Sequence, residues 1–316
     1  MASRGRSSTR RCRSNAFGAS TTSSSCHARA SVSSSGQAEG DPMHIDHIVV
    51  TVPNLDDAAR SYESLGFTLT PRAQHPWGTA NRLVQLAGRN FIELLEIDRP
   101  HLIGEHGSAA DPPTFSFGAF NRDFLASGRQ GFSMLVLEGK SVHADLARYH
   151  VAGLQPYAPF HFERQATLPD GRTVKVAFDL AFAATPDMPD AGFFTCHNRF
   201  PENFWKPEFQ RHANGASLIR EAVAFHPRPH DLAPFLAGFT GTPSKEVEGG
   251  IRVSGASTAV TVLTPSAFKS RFPDSGVDVD ARPRLALAVM AAGNPPARMT
   301  PAASAHGLAI AWAQAD

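Results

Sequence analysis

Asp46-His47-Ile48-Val49-Val50-Thr51-Val52, followed further along by Phe91-Ile92-Glu93-Leu94-Leu95-Glu96-Ile97, decides how this chain folds. Both segments read as strands. In the first, alternation puts His47, Val49 and Thr51 on one face and Ile48, Val50 and Val52 on the other. In the second, Glu93 shares a face with Phe91, Leu95 and Ile97. A carboxylate among apolar neighbours needs a cation, a proton or a hydrogen-bonding partner. A histidine and a glutamate facing one interior surface are the beginning of a metal site.

What lies between the two strands sets the architecture. Asn54 is a good N-cap, Leu55, Ala58, Ala59, Tyr62 and Leu65 recur at helical spacing, and Gly66 stands just past the end. Phe67 to Thr70, Leu83 to Leu86, the turn Gly88-Arg89-Asn90 and the Glu93 strand complete a βαβββ order. A second βαβββ unit begins near Gly131. It runs through a strand at Phe132 to Leu137, a helix capped by Ser141 and a hairpin around Pro169-Asp170-Gly171, and closes at Gly192 to Arg199. The stretch 99–130 between the units is too long for a simple turn and is expected to pack across the sheet as a lid or dimer element. After residue 208, Ser217 to Phe225, a helix with Leu232, Phe235 and Leu236, and strands at Ile251, Ala259 and Leu285 read as a further, degraded copy.

The opening "DHIVVTVPNLDDAARSYESLGF" and the strand "FIELLEI" resemble the vicinal-oxygen-chelate superfamily, which includes glyoxalase I, extradiol dioxygenases and bleomycin-binding proteins. The loop "HPWGTANRLVQL" narrows the likeness to its glyoxalase-like domain group. The resemblance implies an α+β fold in which paired βαβββ modules form a cupped mixed sheet, to which the residues after 208 add a C-terminal degraded βαβββ-like extension. The expected domains are a glyoxalase-like domain at 43–208, with modules at about 44–98 and 131–205, and an α/β extension at 209–316. It also implies a divalent metal (Fe, Mn, Zn or Ni) at the centre of the cup, held by side chains from the first and last strands of each module. On that pattern His47 and Glu93 form the first pair. If Phe193 matches Phe91, His197 becomes the third ligand, giving two histidines and a carboxylate with open positions. The opening strand of the second module, "GFSMLVLEG", has no histidine at the place of His47, so a full glyoxalase I ligand set is not recovered.

Around this centre, His75 opens the loop His75-Pro76-Trp77-Gly78-Thr79-Ala80-Asn81-Arg82 and is the candidate acid or base, with Asn81 and Arg82 as substrate contacts. The alternative is a turn whose polar groups cap its own backbone. Arg199 is a candidate clamp for a carboxylate or phosphate, or else the partner of Glu202, and His212 is a secondary candidate. Cys196 has the opposite parity to His197 and is read as core facing away from the cup. The expected activity is a lyase or isomerase acting on a small oxygenated metabolite. Extradiol-type dioxygenation and metal-free small-molecule binding are the alternatives. Few aromatics other than Phe weigh against a drug-sequestering groove.

Composition agrees with this class. The 316 residues carry 30 basic against 29 acidic side chains, which gives no electrostatic attraction to nucleic acid or anionic membrane. No apolar run approaches the ~20 residues of a transmembrane helix. The expected partners are therefore a small-molecule substrate and, in an assembly, a homodimer. Cys12 and Cys26 lie in an acid-poor, Ser- and Arg-rich leader, leaving Cys196 alone in the folded part, as in a reducing cytoplasm. Residues 1–42 read as a disordered or mis-started segment ahead of Met43, with organelle targeting as the alternative.

Overall fold

A computed structural model of the chain describes residues 43–167, 171–280 and 282–315. The N-terminal segment 1–42, with its targeting and start-site expectations, and the residues Pro169 and Asp170 of the hairpin turn lie outside the described residues.

The first module comprises β1 (Ile45–Thr51), α1 (Leu55–Ser64), β2 (Ala73–Gln74), β3 (Thr79–Gln85) and β4 (Phe91–Ile97). Asn54 caps α1 by accepting the Asp57 amide, and Leu55, Ala58, Ala59 and Tyr62 are buried from it. The connecting stretch contains α2 (Phe117–Ala126). The second module follows as β5 (Gly131–Glu138), α3 (Val142–Val151), β6 (Gln155–Pro156), β7 (Phe160–Thr167), β8 (Thr173–Ala184) and β9 (Gly192–Asn198). These nine strands form one mixed sheet in the order β2-β3-β4-β1-β5-β9-β8-β6, with β7 also on β8. The paired βαβββ modules and the α+β class expected from the sequence are therefore present.

Beyond α4 (Pro201–Phe204), the rest of the chain is more complete than one degraded copy. It runs β10 (Ala216–Phe225), α5 (Ala233–Thr240), β11 (Lys245–Val247), β12 (Gly250–Ser254), β13 (Ala259–Leu263), α6 (Pro265–Arg271), β14 (Arg284–Ala292), β15 (Met299–Thr300) and β16 (Ala309–Gln314). These strands make a second sheet in the order β11-β12-β13-β10-β14-β16-β15. β10 lies parallel to β13 and antiparallel to β14, as β1 lies parallel to β4 and antiparallel to β5. Even the register shift between Val49 and Val50 recurs between Val223 and Ala224.

The helix-bearing faces of the two sheets share one core. Ile48, Ile92 and Leu135 from the first sheet, Tyr62 and Phe239 from the helices, and Ile219, Val262 and Met290 from the second belong to a single buried cluster. Each sheet keeps its opposite face for a separate cluster. In the second sheet α6 fills that face with Phe268 and, at its end, Phe272.

The corresponding face of the first sheet is partly covered by the 99–130 stretch. Phe115 and Phe117 pack there among Val49, Met134 and Phe182. Asn121 is fully buried and accepts from the Thr51 hydroxyl at 2.6 Å and the Ser133 hydroxyl at 3.1 Å. Such a polar cluster satisfies its own hydrogen bonds and pins α2 to the two central strands.

Candidate functional site

The uncovered part of the first sheet's concave face is a cavity of about 370 Å³. It lies at the lower end of the ~300–1,000 Å³ common for small-molecule pockets. His47 and Glu93 line it, as the sequence alternation requires. The His47 ring stacks on Phe91 with centroids 4.3 Å apart, and its Nδ1 lies 2.5 Å from Asp46 Oδ1. Its Nε2 stands 3.6 Å from Glu93 Oε2. The other Glu93 oxygen accepts from Asn81 Nδ2 at 2.7 Å. Burial raises the Glu93 carboxyl above its ordinary range, against the pull of His47 and the Asn81 hydrogen bond.

His75 also lines the cavity, but it is tied down. Its Nδ1 is 2.8 Å from the Thr79 hydroxyl and its Nε2 is 3.3 Å from Asn81 Nδ2. Its ring stacks on Trp77 at 4.6 Å, and Arg99 donates to its carbonyl at 2.7 Å. Gly78 makes the turn at φ +90°, where a Cβ would meet the Arg99 carbonyl at 2.5 Å. Burial, then the Arg164 and Arg99 charges, push His75 down to about 3. His75 is thus neutral at physiological pH, with Asn81 bridging it to Glu93.

That depressed value makes His75 a source of acid sensitivity. Below its ordinary value of 6.5, His75 takes up a proton in the unfolded chain but not in the folded one until about pH 3. Its contribution to stability is therefore lost progressively as pH falls through that window. Between pH 7 and pH 4.5 the change in urea-unfolding free energy is expected to be less favourable for the wild type than for His75→Gln by about 2 kcal/mol.

The remaining candidates divide. Arg82 has the opposite parity to Asn81 and turns to Asp56, 3.7 Å away. His212 sits outside the cavity, accepting from the Thr68 amide at 3.0 Å and bonding the Gln85 carbonyl at 2.8 Å. It braces the chain between the sheets. His197 and Arg199 are not brought to the cavity. Both approach Asp179, at 3.7 and 3.9 Å, with His161 on the same carboxylate at 2.7 Å. Arg199 thus pairs with Asp179 and not with Glu202.

The expectation for His197 fails by one residue of register. His47 faces Val136 and Val49 faces Met134 across β1 and β5, while Met134 faces Gly192 and Val136 faces Phe194 across β5 and β9. The pseudo-twofold relation therefore matches His47 to Met134, Phe91 to Gly192 and Glu93 to Phe194. Phe193 corresponds to Ile92 and belongs to the shared core, whereas Phe194 and Cys196 line the cavity. A one-residue shift exchanges the two faces of a strand. Cys196 accordingly faces the cup, contrary to its expected place, and burial pushes its thiol well above the usual range.

The donor set is therefore half of what a resident metal needs. A structural or catalytic centre draws three or four protein donors to one point. His47 and Glu93 are in place, with Asp46 behind His47, but their counterparts are Met134 and Phe194. The Met134 side chain fills the space beside Gly192, where a Cβ would meet it at 2.4 Å. Among the described residues, no group of three or more His, Cys, Asp or Glu side chains is arranged to hold a metal ion. The residues present do not fit the three-ligand centre with His197 expected from the sequence.

The second sheet shows the same positions put to another use. Its register places Glu221 where His47 stands and Thr261 where Glu93 stands. Glu221 is buried and held by Arg252 at 2.8 Å and Arg271 at 3.0 Å. That charge is fully paired, and α6 fills the face it belongs to.

The walls of the open cup are aromatic. Trp77, Phe117, Phe160, Phe162, Phe178 and Phe204 line it, a surface the low Trp and Tyr content did not foretell. Three of these come from the β7–β8 hairpin, whose Phe160-x-Phe162-x-Arg164 alternation was the available signal. Gln85 fastens α4 over one side, donating to the Phe204 carbonyl at 2.9 Å and accepting from the Lys206 amide at 3.0 Å.

Comparison with known proteins matches a family model described as "Glyoxalase-like domain" to residues 45–240. No curated protein matches the chain in sequence. Among solved structures, a hypothetical protein from Staphylococcus aureus is similar with a TM-score of 0.62 at 13% identity, covering 86% of this chain and 100% of that one. That share includes parts of both sheets. A 4-hydroxymandelate synthase mutant from Streptomyces coelicolor gives a TM-score of 0.45 at 12% identity, covering 79% and 71%. Methylmalonyl-CoA epimerase from Mycobacterium tuberculosis gives 0.34 at 16%, covering 51% and 92%. At 13% identity the likeness to the Staphylococcus aureus protein is of fold alone. No helix among the described residues is long and apolar enough to cross a membrane.

Proposed function

This chain belongs to the glyoxalase-like domain family of the vicinal-oxygen-chelate fold, and from that premise we propose that it is an isomerase or lyase working by proton transfer on a small oxygenated molecule. The observation that carries this reading is the Asp46–His47–Glu93–Asn81 chain at the floor of an aromatic cup. A carboxylate whose proton affinity is raised by burial is a stronger base than one in water. In the proposed step, Glu93 removes a proton from a carbon beside a carbonyl. The electron pair moves onto the carbonyl oxygen, and His47, oriented by Asp46 on Nδ1, donates from Nε2 to that oxygen. For a substrate with a hydroxyl on the carbon that lost its proton, His47 then takes that hydroxyl's proton as a carbonyl forms there, and Glu93 gives its proton to the former carbonyl carbon, which yields the isomer. In a lyase reaction the enol proton returns to His47, the carbonyl re-forms, and a group on the carbon beyond the deprotonated one leaves with its bonding electron pair as the double bond forms. Asn81 holds Glu93 in register, and His75 holds Asn81, so His75 is a positioning residue in place of the acid or base expected from its loop.

The divalent metal and the extradiol alternative are not carried into this proposal, because their ligands would have to come from Met134 and Phe194. A metal-free binding protein is the second reading, favoured by the aromatic walls. Solvent deuterium exchange separates the two. The full chain is incubated in deuterium oxide with a panel of small ketones, aldehydes and oxo acids, and exchange beside the carbonyl is followed by NMR against the uncatalysed rate. Catalysed exchange lost in His47→Ala supports the enzyme. Tight binding with no exchange for any member assigns the binder instead.

A further inference from the structure

The charged groups on the cavity lining are nearly all compensated. Arg72 is bound by Glu96 and by Asp98, the latter at 2.7 Å. Glu93 has Asn81 and His47 beside it. Arg164 is the exception. It follows Phe160 and Phe162 on the cup-facing side of β7 and lines the cavity, yet no carboxylate pairs with it among the described residues. Its neighbour Glu163 points to the other face and is taken by Lys175 at 2.7 Å. The residue opposite it on β8 is Val176.

An arginine at the rim of an apolar pocket without a counter-ion among the described residues is poised for a planar anion. On the same lining the Phe162 ring meets Trp77 edge-to-face with centroids 4.8 Å apart and lies parallel to the Phe178 ring at 6.3 Å, which makes an aromatic wall. The acid–base pair lines the same cavity.

We propose that the ligand of this cup is a small carboxylic acid with an aromatic-sized apolar body, its carboxylate bound by Arg164 and its body held among Phe160, Phe162 and Phe178. The proposal rests on the proton-transfer reading only for where reaction occurs. A nucleotide or a thioester of a large carrier does not match a cup of this volume, whose lining offers Arg164 alone as an uncompensated cation among the described residues. The acid must also present its reactive carbon away from the carboxylate that Arg164 holds, so the substrate class is an acid bearing a second carbonyl. The guanidinium fork then sets which end of the molecule enters first.

Calorimetric titration of the full chain with phenylacetate and with phenylacetamide, which differ in charge and little in shape, tests this. A charge-assisted pair is expected to favour the acid by about ten- to a hundredfold. Arg164→Gln, at an exposed position that does not threaten the fold, is expected to abolish that preference and leave the amide unchanged. Arg199→Gln, at a residue paired with Asp179 away from the cavity, is expected to leave both affinities unchanged. Equal affinity of acid and amide for the wild type, binding of neither, or an acid preference that survives Arg164→Gln would overturn the proposal. The two readings fail separately. Acid preference without exchange on any oxo acid sinks proton transfer alone, and exchange without acid preference sinks the Arg164 assignment alone.

Discussion

Glu93→Gln is expected to slow catalysed exchange by about 10²–10⁴-fold while making the protein more stable. The first effect follows from removing the base and leaving its shape. The substituted amide would still accept from Asn81 through its oxygen, so the 2.7 Å contact and the cup survive. The second effect follows from burial. Glu93 is buried at the floor of the cup with a carboxyl pushed above its ordinary value, so its ionised form weakens the folded state. A group with a raised folded pKa contributes its full stability below its ordinary value of about 4.5 and loses it as pH rises through the folded one. The variant is therefore expected to be more stable than the wild type near neutral pH and little changed at pH 4, in urea unfolding. A stabilised but inactive variant is the mark of a residue kept for chemistry. A variant destabilised at both pH values would make Glu93 a structural acceptor.

The largest purely structural effect is expected at Phe182. Its side chain is fully buried, stacks on Phe115 at 4.2 Å and meets Phe194 at 4.8 Å. It joins the second module's sheet to the stretch that covers the cup. Phe182→Ala is expected to cost about 3–5 kcal/mol, from the lost transfer term plus the cavity left behind. Phe182→Leu, which keeps most of the volume, is expected to cost less than about half as much. Denaturant midpoints of the two variants check this order. Because Phe115 loses its stacking partner, the alanine variant is also expected to expose the 107–116 loop to proteolysis at protease concentrations where the wild type resists.

The modules were legible because their signals are local. Alternation in 45–51 and 91–97, the Asn54 and Ser141 caps and the glycines after the helices each act within a few residues. The His47–Glu93 pairing was legible for the same reason, since both residues belong to strands whose facing is set by their own pattern. His197 was misplaced because alternation gives facing within a strand, not register between strands. Matching Phe193 to Phe91 looked natural, but the pairing matches Gly192 to Phe91, and Met134 occupies the vacated space. No residue near His197 announces that slip.

The second sheet was underestimated because β16, Ala309–Gln314, is built largely of alanine and lacks the run of β-branched residues that marks a strand. Its place is set by parallel pairing with β14, a contact that closes over the intervening chain. Arg164 was missed because "FHFER" reads as one side of a hairpin, and only the curvature of the sheet turns that face toward Glu93. The neutrality of His75 comes from burial and two arginines distant in sequence, which no reading of its loop supplies.

The proposed chemistry of the cup rests on His47 and Glu93 as acid and base, without ligands from the second module. The most direct test is catalysed solvent deuterium exchange by the full chain before and after exhaustive dialysis against a strong chelator, with bound metal measured in both samples. The same exchange rate is predicted in both, with no catalysed rate in chelated Glu93→Gln. Exchange that disappears on chelation and returns with one particular divalent ion would contradict that assignment.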